Sequence, residues 1–249
     1  MKKIILFLSI FAVFLYAGVK TTIKFKSLDN VIITADLYIS NINKKTPFIV
    51  LFHQAGWSRG EYSGIALKLN ALGYNCMAVD LRSGGEIRGV ENLTKKDAVK
   101  KGKSTTYIDA MQDIKASLLY ARDHFAKGQL IAWGSSYSAA LVIKIVGDDN
   151  KLADKVISFS PGEYFTKYNK APDWIKQSAK KLRVPIFITS AKNEKKYWQP
   201  IYNAINSNKS FYLPTKTKGH HGSRSLWSRY SDNTGYWRAV KGFLRSDYK

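Results

Sequence analysis

The chain has one cysteine, four histidines and 18 acidic residues against 40 basic ones in 249 positions. One cysteine excludes an internal disulfide, and Cys76, in a strand-like apolar segment, reads as a buried packing residue. The few histidines leave no metal-ligand spacing. The neighbours His220 and His221 have no cysteine or carboxylate cluster beside them, so no metal is expected. No glycine-rich phosphate loop follows a strand-like run, Gly84-Gly85 being too short, and no cofactor is expected. Repeats and low-complexity segments are missing. The deficit of acids gives a formal net charge of +22, at which a nucleic-acid partner has to be considered. The lysines, however, are scattered. Their densest runs, such as Lys95-Lys96, Lys180-Lys181 and Lys195-Lys196, are short, and no nucleic-acid motif accompanies them. They read as a solvated surface that attracts anionic groups at low salt, and no nucleic-acid partner is expected.

A long apolar run is also missing. Residues 4–16 are apolar, follow Lys2-Lys3 and lead into Ala17-Gly18. A charged start, a short apolar stretch and small residues make a secretory signal, and the run is too short for a comfortable membrane span. Cleavage after Ala17 or Gly18 is expected, leaving residues 19–249 as a single domain, periplasmic or secreted, with no stable membrane span. A retained N-terminal anchor is the alternative.

What remains is a regular alternation. Residues 19–25 and 31–39 alternate apolar and polar around the turn pair Asp29-Asn30 and predict an antiparallel hairpin. Strands are predicted at 48–52, 74–79, 129–133, 156–159, 184–189 and 210–213, several of them continuous apolar runs of the kind covered on both faces. Helical spacing appears at 61–72, 105–125, 139–146, 171–182, 198–205 and 236–244, while 83–103, rich in Gly and Lys and weakly periodic, reads as a loop. The pattern predicts an α/β fold with a mostly parallel eight-stranded sheet, an N-terminal antiparallel hairpin and helices on both faces. In such sheets ligands bind at the carboxyl ends of the strands.

The segment Gly134-Ser135-Ser136-Tyr137-Ser138 stands at such an end, between an apolar strand and an apolar helix. A serine with small residues two positions away on each side, in a strand-to-helix turn, has the layout of a nucleophile elbow. Ser136 fits that register. Ser135 has bulky Trp133 at the position that must be small, and Ser138 falls inside the helix. A serine hydroxyl needs a base, an orienting acid and an oxyanion hole. Glu194 follows the strand at 184–189, and His220-His221-Gly222 follows the last strand. The order Ser, acid, His is that of the α/β-hydrolases. His221, followed by glycine, is preferred to His220 as the base, and Asp173 is the reserve acid. His53, directly after a strand, is expected to shape the loop that lines the oxyanion hole, and His124 to be a surface or capping residue.

Together the His53-Gln54-Ala55-Gly56 loop, Gly73-Tyr74, the Asp80-Leu81-Arg82-Ser83-Gly84-Gly85 stretch, the Ser136 elbow, Glu194 and His221-Gly222 resemble the α/β-hydrolase superfamily, in particular dienelactone-hydrolase-like and prolyl-oligopeptidase-like serine hydrolases. The resemblance spans residues 48–222 and implies a catalytic triad of Ser136, Glu194 and His221. It also implies oxyanion donors at the backbone N–H of Tyr137 and of Gln54 or Ala55. The chain departs from the usual pattern in having Glu rather than Asp as the acid and Ala191 three residues before it. Asp80 is expected to position the loop around Arg82. Trp57, Tyr137, Tyr164, Phe165, Trp174, Tyr197, Trp198 and Trp227 lie in or near the loops after the strands, with Trp57 and Trp198 the candidate substrate contacts. The expected activity is hydrolysis of a small carboxylic ester, with thioesters, lactones and peptides as related acyl substrates. The alternative is a non-catalytic binding protein of the cell envelope on the same fold.

Overall fold

The computed structural model describes residues 19–246, and the expected signal segment, residues 1–18, lies outside the described residues. Strands β1 (Val19–Lys26) and β2 (Ile32–Ile39) form the N-terminal hairpin, with Asn30 taking the left-handed conformation that closes its turn. The next elements are β3 (Phe48–Phe52), a short helical turn (Arg59–Tyr62), α1 (Ser63–Ala71) and β4 (Asn75–Val79). Gly73, with φ of +91°, makes the tight exit from α1 that a residue with a Cβ would resist.

The stretch read as a loop over 83–103 is more ordered than its composition suggests. It contains a two-strand ribbon, β5 (Glu86–Ile87) and β6 (Val90–Glu91), and α2 (Leu93–Lys100). The α2 helix carries three lysines and an aspartate in its eight residues, LTKKDAVK, and little apolar periodicity, so its stability comes from its ends and neighbours. The Asn92 side chain caps it by accepting from Lys95 N–H, while Asp97 and Thr94 accept the Ile32 and Thr34 N–H groups of β2.

The chain continues through α3 (Ala110–His124), β7 (Leu130–Ser135), α4 (Tyr137–Asp148), β8 (Lys155–Phe159), α5 (Trp174–Ala179), β9 (Ile186–Thr189), α6 (Lys195–Ala204), β10 (Lys209–Tyr212) and α7 (Asn233–Arg245). The helix predicted from 105 starts only at Ala110, because the Asp109 carboxylate collects the Ser104 and Thr106 hydroxyls into a turn before it.

The main sheet has eight strands in the order β1-β2-β4-β3-β7-β8-β9-β10, antiparallel only at β1-β2 and β2-β4. Period-two alternation divides the central strand β3 between two cores. Phe48, Val50 and Phe52 pack with residues of α3, α4, α5 and α6, while Ile49 and Leu51 pack with residues of α1 and α7. Helices therefore cover both faces, and the carboxyl ends of β3, β7, β8 and β9 open toward one edge of the molecule. Among the described residues, no helix is long and apolar enough to cross a membrane.

Asp80, at the end of β4, accepts from Arg59 N–H and its guanidinium and from Leu93 N–H, so it anchors the turn after β3 to the start of α2. The Arg82 side chain itself is held by Asp29 and Asp113.

Candidate active site

Ser136 sits between β7 and α4 with φ of 61° and ψ of −121°, a conformation strained for any residue with a side chain. Its surroundings hold it there. Ser136 N–H donates to Phe159 O at 2.7 Å and Ser135 N–H to the Ser138 hydroxyl at 2.9 Å. A Cβ on Gly134 would lie 2.5 Å from the Ala139 backbone, so only glycine lets strand and helix come this close. Ser138 fits where glycine is more usual because its Oγ is absorbed by that local bonding, also lying 2.9 Å from Phe52 O.

His221 Nε2 lies 2.8 Å from Ser136 Oγ, and His221 Nδ1 lies 2.6 Å from Glu194 Oε1. Glu194 stands at the start of α6, after the strand β9. Burial pushes its carboxyl up. The hydrogen bond from His221, that imidazole's charge, the Ser160 hydroxyl and Ala191 N–H outweigh burial and hold it below its ordinary value. An ionised Glu194 can only accept, so the proton on His221 sits at Nδ1. Nε2 is then bare and accepts from the Ser136 hydroxyl. The chain Ser136–His221–Glu194 is thus complete and oriented in one direction.

Ser160, read from sequence only as part of a strand stop, is a further member of this arrangement. Its hydroxyl donates to Glu194 Oε2 at 2.7 Å and accepts Gly222 N–H at 2.9 Å, tying the acid to the loop that carries the base. Ser160 also has a left-handed φ of 58°, which no sequence pattern announced. His220 points elsewhere. It stacks on Tyr230 at 3.5 Å between ring centroids, with Asp232 at 3.8 Å. Asp173 lies before α5 and accepts from Gln177, with no contact to either histidine. His53 is fully buried, hydrogen-bonded to Gln54 O, Leu81 N–H and Asn92, and burial lowers its pKa to about 4. It is a neutral strut of the loop after β3. His124 bonds the Tyr120 carbonyl at the end of α3.

The oxyanion loop requires one correction. Gln54 N–H donates to Glu61 Oε2 at 2.8 Å and is not free for a substrate. Of the two amides considered there, Ala55 N–H is the one without an acceptor among the described residues. Tyr137 is the first residue of α4, where helix geometry leaves the N–H without an intrahelical partner.

One of the pocket residues also needs correction. Trp198 is fully buried with its Nε1–H on Ser190 Oγ, so it packs beneath the acid loop and cannot touch a substrate. Trp57 is half-buried and stacks on Trp227 at 5.3 Å, with Arg224 over its ring. It borders the histidine loop rather than the cavity beside His221. That cavity, about 550 Å³, is lined by Glu163, Tyr164, Glu194, Lys196, Tyr197 and His221. The aromatic walls are therefore Tyr164 and Tyr197. A helix pattern does not tell which tryptophan faces inward, and this distinction was beyond the sequence.

Fold, elbow and hydrogen-bonded serine define an α/β-hydrolase with a serine at its centre. Residues 43–197 match the family described as serine aminopeptidase, S33, and the chain belongs to that family of serine hydrolases. A 131-residue stretch is 30% identical to the quorum-quenching protein AidA of Acinetobacter baumannii, covering 51% of this chain and 40% of that protein's length. Among solved structures, the dienelactone hydrolase of Anabaena variabilis superposes with a TM-score of 0.70 at 10% identity, covering 92% of this chain and 97% of that one. The Pyrococcus furiosus esterase Pf2001 does so with a TM-score of 0.68 at 18% identity, covering 92% and 94%. At these identities the structural likeness is one of fold.

Proposed function

We propose that this chain is an exported esterase that cleaves a small carboxylic ester through an acyl-enzyme on Ser136. The observation that carries the reading is the hydrogen-bonded chain from Ser136 Oγ through both nitrogens of His221 to Glu194, at 2.8 and 2.6 Å.

The chemistry follows from the roles of these groups. Ser136 Oγ attacks the ester carbonyl carbon as its proton passes to His221 Nε2. Glu194 keeps the imidazole in the tautomer that can accept and stabilises the imidazolium that forms. The tetrahedral oxyanion takes hydrogen bonds from Ala55 N–H and Tyr137 N–H, each such donor contributing about 3 kcal/mol to the transition state. The intermediate collapses as Nε2–H protonates the leaving oxygen, and the alcohol departs. Water then attacks the acyl-enzyme, giving its proton to Nε2. Collapse releases the acid and returns the proton to Ser136.

The cavity at His221 lies beside the group that protonates the leaving oxygen, and its volume and two tyrosines suit a small alcohol or acyl substituent. The solved esterase and dienelactone hydrolase of like fold support an ester or lactone bond as the target. Export rests on the charged start, apolar run and Ala17-Gly18 of the N-terminus.

The test is a panel of p-nitrophenyl esters from acetyl to octanoyl, with native protein and Ser136→Ala. Turnover with a stoichiometric burst of p-nitrophenol, strongest for short acyl chains and lost in the variant, is expected. Equal turnover in Ser136→Ala would contradict the proposal. Recovery of the protein from the cell envelope fraction with a terminus beginning at residue 18 or 19 checks the export arm.

A further inference from the structure

Glu61 has no part in the steps above, yet it is fully buried next to the groups that perform them. It lies in the short helical turn after β3. Its carboxylate gathers donors from two separate segments, the loop after β3 and the last residue of β7. Gln54 N–H reaches Oε2 at 2.8 Å, and the Ser135 hydroxyl reaches Oε1 at 2.8 Å. The Gln54 side-chain amide approaches Oε1 at 3.4 Å. Ser135 Oγ in turn accepts Ser223 N–H at 2.9 Å, and the Glu61 carbonyl accepts Trp227 Nε1–H at 2.9 Å. The residue before Ala55 and the residue before Ser136 are therefore joined through the Glu61 side chain, and the second residue after His221 is joined to them through Ser135.

A carboxylate in such a place is unfavourable for stability alone. Burial lifts its pKa to about 7 against the pull of the Gln54 and Ser135 hydrogen bonds and of the His221 charge. Among the described residues no lysine or arginine pairs with it, and its hydrogen-bond partners are neutral donors.

We infer that Glu61 is a positioning residue for the reaction at Ser136. By taking the Gln54 N–H it sets the turn of the loop after β3 so that the next amide, Ala55, is left to meet the oxyanion. By taking the Ser135 hydroxyl it holds the elbow and the histidine loop against that amide. This role rests on the reading of Ser136 as the nucleophile.

Glu61→Gln keeps the size of the side chain but sets an NH2 group against donors that need an acceptor. Ser135→Ala removes one tie and leaves the carboxylate. The experiment measures kcat and KM for one short-chain p-nitrophenyl ester and Ki for an alkylboronic acid, which forms a tetrahedral adduct on serine. Native protein and both variants are compared, with the melting temperature of each as a check of folding. For Glu61→Gln, kcat falls by roughly 10²- to 10³-fold, the scale of one lost oxyanion donor, boronate Ki weakens in proportion and KM stays within about threefold. Ser135→Ala shows the same pattern at roughly tenfold, the scale of one hydrogen bond. Folded variants with native kcat and boronate Ki overturn the inference, as does a change confined to KM. If Glu61→Gln does not fold, Ser135→Ala decides by the same criteria. Native protein that neither turns over ester nor binds boronate contradicts the nucleophile assignment itself, whereas active native protein with native-like variants contradicts only the role of Glu61.

Discussion

Two glutamates flank the serine elbow, and they sit in opposite electrostatic circumstances. Glu194, in the acid loop after β9, is half-buried and faces an imidazole that can carry charge, and its pKa is held below the ordinary value despite burial. Glu61, in the turn after β3, is completely buried among neutral donors, and burial raises its pKa to about 7. The same carboxylate is thus suited to two tasks. One region stabilises a charge that appears during reaction. The other fixes backbone positions before reaction begins. Which task a glutamate can perform is set by whether its partner can become a cation, not by its distance from the serine in sequence.

The contrast is sharpest in catalysis. Glu194→Gln should lower kcat by about 10⁴-fold, because a glutamine leaves His221 free to adopt the wrong tautomer, while the melting temperature changes little. That loss exceeds the one expected for Glu61→Gln, and equal losses in the two variants would erase the distinction. The packing of the acid region gives the next effect. Trp198→Ala opens a hole beneath the Ser190 loop and should destabilise the protein by about 3–5 kcal/mol in denaturant unfolding, with KM of the surviving folded enzyme unaltered. An unaltered stability with a raised KM would return Trp198 to the substrate pocket.

In the elbow region, Gly134→Ala drives a methyl into the Ala139 backbone. It should cost about 1–3 kcal/mol of unfolding free energy and slow acylation, where a neutral outcome would show that the elbow has slack.

The smallest effect is the pH dependence of stability, and its sign differs between the two glutamates. Glu61, raised from 4.5 to about 7, contributes stability that is fully present below pH 4.5 and is lost as pH rises through about 7. Native protein should therefore lose melting temperature relative to Glu61→Gln across that window. Glu194, lowered from 4.5, contributes stability that is complete above that pH and is lost as pH falls through its folded value. Native protein should lose its margin over Glu194→Gln on acidification. Parallel slopes for the two variants would contradict the assignment of their environments.

Much of the fold was readable because its signals are local. The continuous apolar run at 48–52, the turn pair at Asp29-Asn30 and the glycine exit at Gly73 each dictate backbone geometry within a few residues. The serine elbow was readable for the same reason, and chain order pointed to Glu194 and His221, which the structure brings into contact. The helix α2 was missed because its lysine-rich sequence has no apolar stripe and is held by Asn92 and by β2, a partner sixty residues away. Glu61 is simply the first residue of the helical spacing at 61–72, and only tertiary packing buries it. The choice between Gln54 and Ala55 depends on which amide that buried carboxylate takes, so it could not be made without knowing where Glu61 lies. Trp198 failed as a substrate contact for a related reason. Proximity to a strand end in sequence does not say which way a ring packs.

The most direct test of the central claim is the intact mass of the protein after treatment with a fluorophosphonate, beside Ser136→Ala. One stoichiometric adduct on the native chain, located at Ser136 and missing from the variant, is the predicted result. A well-folded native protein that takes no adduct, or a variant that takes the same adduct, would contradict the claim that His221 and Glu194 activate Ser136.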